Sequence, residues 1–136
     1  MSDVRRQFQL PDADAELLDS RGLVWEAVVD GGVQWVVVHD YPLPPGYTAT
    51  CANVALQIPA SYPDVQIDMV YFCPDLARMD GTAIGRTSQQ NIGGKRWQRW
   101  SRHRTRENPW RRGLDCVETH LWLVDEWLLR EHRRAA

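Results

Sequence analysis

Two residues apart, in an Arg-rich stretch of this chain, stand a hydroxyl and an imidazole, Ser101 and His103, with Arg102 between them. On an extended segment such side chains share a face, so a hydroxyl–imidazole hydrogen bond is within reach. A hydroxyl is a weak nucleophile alone, and beside such a base it can carry an acyl group as an ester. His103 could equally take the proton of an incoming amine, with Arg102 or Asn91 stabilising the oxyanion. Cys73, closing an apolar run, is the other candidate acyl carrier, because a thiolate held by nearby cations accepts acyl groups readily. A lone cysteine at a strand end is also commonly a small packed hydrophobe.

The remaining candidates carry less chemistry. Cys51, Cys73 and Cys116 are odd in number and form no CxxC pair, which argues against a zinc ribbon or a disulfide framework. His39 sits at a strand end and His120 in the closing helix, where a satisfied structural histidine is expected, and His132 lies in a basic tail. No HExxH spacing occurs, and Asp75 and Asp80 are too few for a hard-cation site. Gly93-Gly94-Lys95 lacks the preceding glycine frame and the following Ser or Thr of a phosphate loop. No metal and no cofactor are expected.

Charge is distributed unevenly along the 136 residues. Residues 10–80 carry 11 acids and two bases, whereas residues 81–136 carry 12 bases and six acids. Residues 95–112 interleave Trp97, Trp100 and Trp110 with eight bases, a pattern suited to single-stranded nucleic acid through phosphate contacts and base stacking. Against that reading stand the acidic front half and the lack of any RNP, KH or zinc-finger string. An electrostatically polar surface also suits steering of a protein partner.

The length fits a single domain, assigned to residues 10–134 after a flexible segment 1–9. No apolar run approaches the roughly 18–20 residues of a membrane span. Met1-Ser2-Asp3-Val4-Arg5-Arg6 leads into no apolar signal core, so a cytoplasmic location is expected. Pro11 and the acids after it open a short helix that Gly22 stops. Leu23–Val29 and Val33–His39 read as a hairpin about Asp30-Gly31-Gly32. Cys51–Ile58 alternates as a half-buried strand, and Gln66–Phe72 makes a fourth. Residues 75–114 show no clean periodicity. The closing helix takes Asp115 as N-cap and Glu118 as its capping-box partner, with Val117, Leu121, Val124 and Leu128 at helical spacing. Arg130, Arg133 and Arg134 suit its C-terminal dipole. The predicted fold is α+β: a helix, a four-stranded antiparallel meander, a long irregular loop, and a helix packed on the sheet.

That order of parts resembles the ubiquitin-conjugating (UBC-like) fold. Gly46-Tyr47 followed by Val54-Ala55-Leu56-Gln57-Ile58-Pro59-Ala60-Ser61-Tyr62-Pro63 is similar to that fold's strand running into its Tyr-Pro turn. Gly94-Lys95-Arg96-Trp97-Gln98-Arg99-Trp100-Ser101-Arg102-His103, with Trp110 and the closing helix, resembles prokaryotic family E of the superfamily. The resemblance spans roughly residues 10–130. It implies a conjugation role with a ubiquitin-like modifier, an activating enzyme of the ThiF type and a JAB-type deconjugating protease as pathway partners. It implies also a departure: Cys73-Pro74-Asp75 stands where the superfamily has His-Pro-Asn, and Thr82, Ala83 and Ile84 fall where its thioester cysteine would be. Three readings follow: an acyl intermediate on Cys73, a hydroxyl or acceptor activated by His103, or a catalytically silent scaffold.

Overall fold

A computed structural model of the chain describes residues 4–133. Its elements run α1 (Asp12–Ser20), β1 (Trp25–Asp30), β2 (Val33–Pro42), β3 (Cys51–Ile58), β4 (Val70–Cys73), β5 (Thr87–Ile92), β6 (Lys95–Trp100) and α2 (Val117–Arg133). The α+β order stands, but the sheet has six strands rather than four. It is antiparallel throughout, in the order β1-β2-β3-β4-β6-β5. The two added strands lie inside the stretch expected to be irregular. β5 reads Thr-Ser-Gln-Gln-Asn-Ile and offers no apolar alternation, so its only sequence signal is the turn after it. Gly93 and Gly94 both adopt positive φ (59° and 85°), as Gly31 and Gly32 do between β1 and β2 (57° and 81°). Paired left-handed residues make the hairpin turn that matches strand twist.

The two edges of this sheet meet at one end. The Gly93 N–H, in the β5–β6 turn, donates to Asp30 Oδ2 in the β1–β2 turn at 2.9 Å. The sheet is therefore curled, and its inner face buries Val28, Trp35, Val37, Ala55, Tyr71, Ile92 and Trp97, contributed by all six strands. The outer face carries the main core with α1 and α2, including Val54, Leu56, Ile58, Phe72 and Trp100. Alternation along β3 puts Ala55 on one face and Val54 and Leu56 on the other, as the sequence predicts.

Three tyrosines and an acid seat α2. Tyr47 Oη donates to the Leu128 carbonyl at 2.7 Å and Tyr41 Oη to Asp125 at 2.7 Å. Tyr62 Oη donates to Asp14 at 2.6 Å and accepts the Val117 N–H at 2.9 Å. The glycine-tyrosine and tyrosine-proline strings thus fix the helix that borders the candidate site. Because Asp14 and Tyr62 already meet the first helical N–H, the cap falls one residue later than predicted. Thr119 Oγ1 accepts the Cys116 N–H at 2.9 Å, and Asp115 instead accepts the Arg111 N–H at 2.6 Å. At the other end of α2, Arg130 pairs with Glu126 at 3.3 Å, and Arg134 lies outside the described residues.

α1 ends as predicted at Gly22, with the Leu23 N–H reaching back to the Leu18 carbonyl and Gly22 to Asp19. Of the segment expected to be flexible, residues 5–7 run parallel to β1. Ala27 N–H donates to the Arg5 carbonyl and Gln7 N–H to the Ala27 carbonyl, both at 2.8 Å. Arg5 and His39 both reach Glu26, at 3.0 and 2.8 Å, and the Arg5 hydrogen bonds hold that carboxyl down at about 2.

Candidate functional site

As β6 ends, the chain passes beside the C-terminal half of α2, and Trp100, Ser101, Arg102, His103 and Arg104 take four different environments. Trp100 is fully buried, its indole N–H on Gln98 Oε1 at 2.9 Å. The Ser101 N–H donates to the Arg86 carbonyl at 2.9 Å, lengthening the β5–β6 ladder by one pair. Arg102 is buried and His103 is exposed. The His103 imidazole meets a carboxylate rather than Ser101: Nδ1 lies 2.9 Å from Asp68 Oδ1 and 3.1 Å from Oδ2. Asp68, 35 residues earlier, is a site residue that sequence reasoning missed, since nothing local links the two. Such a carboxylate fixes ring orientation and tautomer, leaving Nε2 toward solvent as a base.

His103 stands at the mouth of a cleft of about 260 Å³ lined by Arg86, Arg102, Arg104, Arg130 and Glu131. Beneath it runs a chain of ion pairs, buried except at Asp80. Arg102 Nη2 donates to Glu131 Oε1 at 3.1 Å and to the Gly85 carbonyl at 3.1 Å. Arg78 Nη1 reaches the Glu131 carbonyl at 2.8 Å and Oε2 at 3.3 Å. Its other nitrogens grip Asp80 at 3.1 and 2.6 Å. Asp80 accepts the Thr82 N–H at 2.9 Å, and this bond with the Arg78 guanidinium holds its carboxyl below the usual range. Residues 78–86 are thereby clamped against α2. Arg102 acts here in positioning, through Glu131 and the Gly85 carbonyl.

Arg104 separates this cleft from a second hollow of about 280 Å³ along α2, bordered by Asn108, Arg111, Trp122 and Glu126. Its side chain is 5% exposed, with Nη1 3.8 Å from Asp115 and the guanidinium 4.9 Å over the Trp110 ring. Burial pushes its pKa down, and Nε has no hydrogen-bond partner among the described residues. Guanidinium groups line both hollows, Arg104 and Arg130 bordering each, and such groups suit carboxylate.

Cys73 is not part of it. Three residues past Val70, it lies roughly 10 Å to one side of the Val70–Trp100 pair, and His103 leaves on the other side. It packs against the inner-face cluster, away from α2. Asn91 is exposed at the far end of β5. Thr82, Ala83 and Ile84 border a separate hollow of about 220 Å³ near Gln98 and Leu76. His120 is structural, its Nε2 on the Met69 carbonyl at 2.8 Å. His132, expected in a basic tail, packs on Tyr47 with ring centroids 4.6 Å apart. Trp97 and Trp100 are buried on opposite faces of the sheet, so neither offers a ring for stacking on a nucleic-acid base.

Among the described residues no three His, Cys, Asp or Glu side chains gather to hold a metal ion, and no helix is long and apolar enough to cross a membrane. No curated protein and no solved structure matches the chain. The family model for prokaryotic E2 family E matches residues 10–131, nearly the whole chain. Tyr47, Tyr62, Trp97 and Trp100, which carry the resemblance, are the residues that seat α2 and fill both faces of the sheet. The chain belongs to prokaryotic E2 family E, an E2-like family related to ubiquitin conjugation.

Proposed function

We propose that the protein receives a ubiquitin-like modifier from a ThiF-type activating enzyme, or helps pass it on, by a route that does not use a cysteine in the usual position. The observation that carries this reading is the Asp68–His103 pair at the mouth of an arginine-lined cleft, within the string that marks the family. An acceptor amine, or the Ser101 hydroxyl, attacks the carbonyl carbon of the modifier's C-terminal glycine. His103 Nε2 takes the nucleophile's proton while Asp68 holds Nδ1–H. The bond from that carbon to the donor's carrier atom then breaks, and the carrier leaves with the proton from the imidazolium. Guanidinium groups of the cleft stabilise the oxyanion between these steps, with Arg102, a member of the string, held in place by Glu131. Ser101, two residues from His103, is the nearer candidate acyl carrier; Cys73 closes β4 at its end away from Trp100. The reading places the protein in the cytoplasm, in a pathway with a JAB-type protease for release.

The test mixes the protein with its candidate activating enzyme, a mature modifier and ATP, and reads intact mass with and without thiol or hydroxylamine. A modifier-sized adduct that resists thiol and yields to hydroxylamine supports an oxyester, with Ser101→Ala as the next variant. A thiol-labile adduct lost in Cys73→Ala moves the carrier to Cys73. No adduct with co-elution makes the domain a silent scaffold, a second reading favoured by the structural engagement of Arg102. Neither adduct nor co-elution overturns the conjugation reading.

A further inference from the structure

The sheet has two edges, and the chain treats them differently. The outer edge of β1 is covered by residues 5–7 of the same chain, which add a short parallel bridge. The outer edge of β5 pairs with no other strand among the described residues.

The direction of the β5 backbone groups follows from one hydrogen bond. The Arg86 carbonyl accepts the Ser101 N–H and so faces β6. With a period of two, Ser88, Gln90 and Ile92 do the same, consistent with the tight Ile92–Lys95 closure of the Gly93-Gly94 turn. Thr87, Gln89 and Asn91 therefore point N–H and C=O outward. None of these three N–H groups has a hydrogen-bond partner among the described residues. Edge strands are usually blunted by Lys, proline, a bulge or an inward charge. β5 has no charged residue and no proline, and it pairs with β6 in unbroken register. A polar edge of this kind resists apolar aggregation while its backbone remains free to accept a strand.

The two ends of that edge differ in what they offer. Arg86 immediately precedes β5, with φ of 52°, and its side chain lines the cleft together with Arg102, His103 and Arg104. A strand added antiparallel to β5 enters beside Asn91, short of the Gly93–Asp30 contact, and leaves at Arg86. Six residues at about 3.4 Å each span roughly 20 Å, the length of the edge. The last residue then reaches the guanidinium groups, where a carboxylate is favoured. We propose that the open edge of β5 takes the extended C-terminal tail of the modifier as an added antiparallel strand, and that this pairing delivers the tail's carboxyl to the Arg86–His103 cleft. The occupant rests on the conjugation reading above; the edge and its direction rest on the backbone. Affinity for the free modifier would come from main-chain pairing and the terminal carboxylate, and in the acyl-linked donor the same guanidinium groups meet the carbonyl oxygen and the oxyanion formed on attack.

The probe is the synthetic peptide Thr-Val-Thr-Val-Gly-Gly, as free acid and as C-terminal amide, titrated into the full chain and followed by amide NMR and hydrogen exchange. The expected result is slowed exchange at Thr87, Gln89 and Asn91 but not at their neighbours, with the amide binding about tenfold more weakly than the acid. Arg86→Asn, which keeps a residue tolerant of positive φ, should bring the acid down to the affinity of the amide and leave the amide unchanged. N-methylation of the peptide nitrogens that face β5 should abolish binding, and methylation of the alternate nitrogens should not. Gln89→Pro removes one outward donor and should weaken both peptides. The methylated peptides give the same answer if that variant misfolds. Shifts confined to α2 and His103, equal loss from both methylation patterns, or equal affinity of acid and amide would each overturn the pairing. Peptide pairing in a protein that neither co-elutes with the modifier nor carries it would overturn the modifier as occupant. Co-elution with the modifier, with no peptide effect at β5, would overturn the edge and leave the conjugation reading standing.

Discussion

His120 makes stability depend on pH in a way that can be worked from its surroundings. The imidazole is fully buried against Trp127, donates through Nε2 to the Met69 carbonyl, and has no partner at Nδ1 among the described residues. Burial pushes its pKa down from 6.5 to about 4, with Arg104 adding to the fall and the Met69 bond, Asp68 and Asp115 opposing it. The unfolded chain binds a proton near pH 6.5 that the native state refuses until about pH 4. The stability from keeping this ring neutral is therefore complete above pH 6.5 and is lost progressively between 6.5 and 4. At about 1.36 kcal/mol per pKa unit, the loss is about 2 kcal/mol by pH 5 and about 3 kcal/mol below pH 4. Urea unfolding at constant ionic strength, from pH 7.5 to 5, should show the wild type losing about 2 kcal/mol more than His120→Gln, which stays neutral and can still donate to Met69. Parallel curves would refute the reasoning. If the variant does not fold, an NMR titration of His120 decides, and a midpoint at or above pH 6 refutes it.

Glu131→Gln removes the carboxylate shared by Arg78 and Arg102 and should cost about 3 kcal/mol in urea unfolding, with faster hydrogen exchange over residues 78–86; a change within 0.5 kcal/mol would show the clamp to be dispensable. Gly46→Ala places a Cβ 2.5 Å from His132 Cε1 at φ +111°, so unfolding free energy should fall by at least about 1–2 kcal/mol. An unchanged melting temperature would contradict that close approach. Asp68→Asn should slow modifier transfer about tenfold with modifier binding and melting temperature unchanged, as expected of a residue that positions a base. Equal rates for wild type and variant would remove Asp68 from the mechanism.

Much of the fold was legible because its elements carry side-chain periodicity or turn chemistry of their own. Cys51–Ile58 alternates and is a strand over those residues, and the Val117, Leu121, Val124 and Leu128 stripe is fully buried on the sheet. Gly22 and Gly31-Gly32 mark local conformations that other residues adopt only under strain. β5 was not legible, because a polar edge strand buries little and so needs no apolar alternation; only its glycine turn betrays it. Asp115 misled for a related reason. It has the residue type of a cap, but Asp14 and Tyr62, far away in sequence, had already satisfied the N–H it was expected to meet.

The candidate site divides in the same manner. Its string Trp100-Ser101-Arg102-His103 stands out in the sequence, and so does the missing cysteine at residues 82–84. What the last three residues of that string do was decided by partners well outside it: Asp68 for His103, Glu131 for Arg102, and Arg86 for Ser101. Sequence by itself determined the types of group available, because chemistry belongs to side chains. Only the tertiary structure decided which groups meet, because a sheet order that inserts β6 beside β4 brings together residues that no local spacing relates.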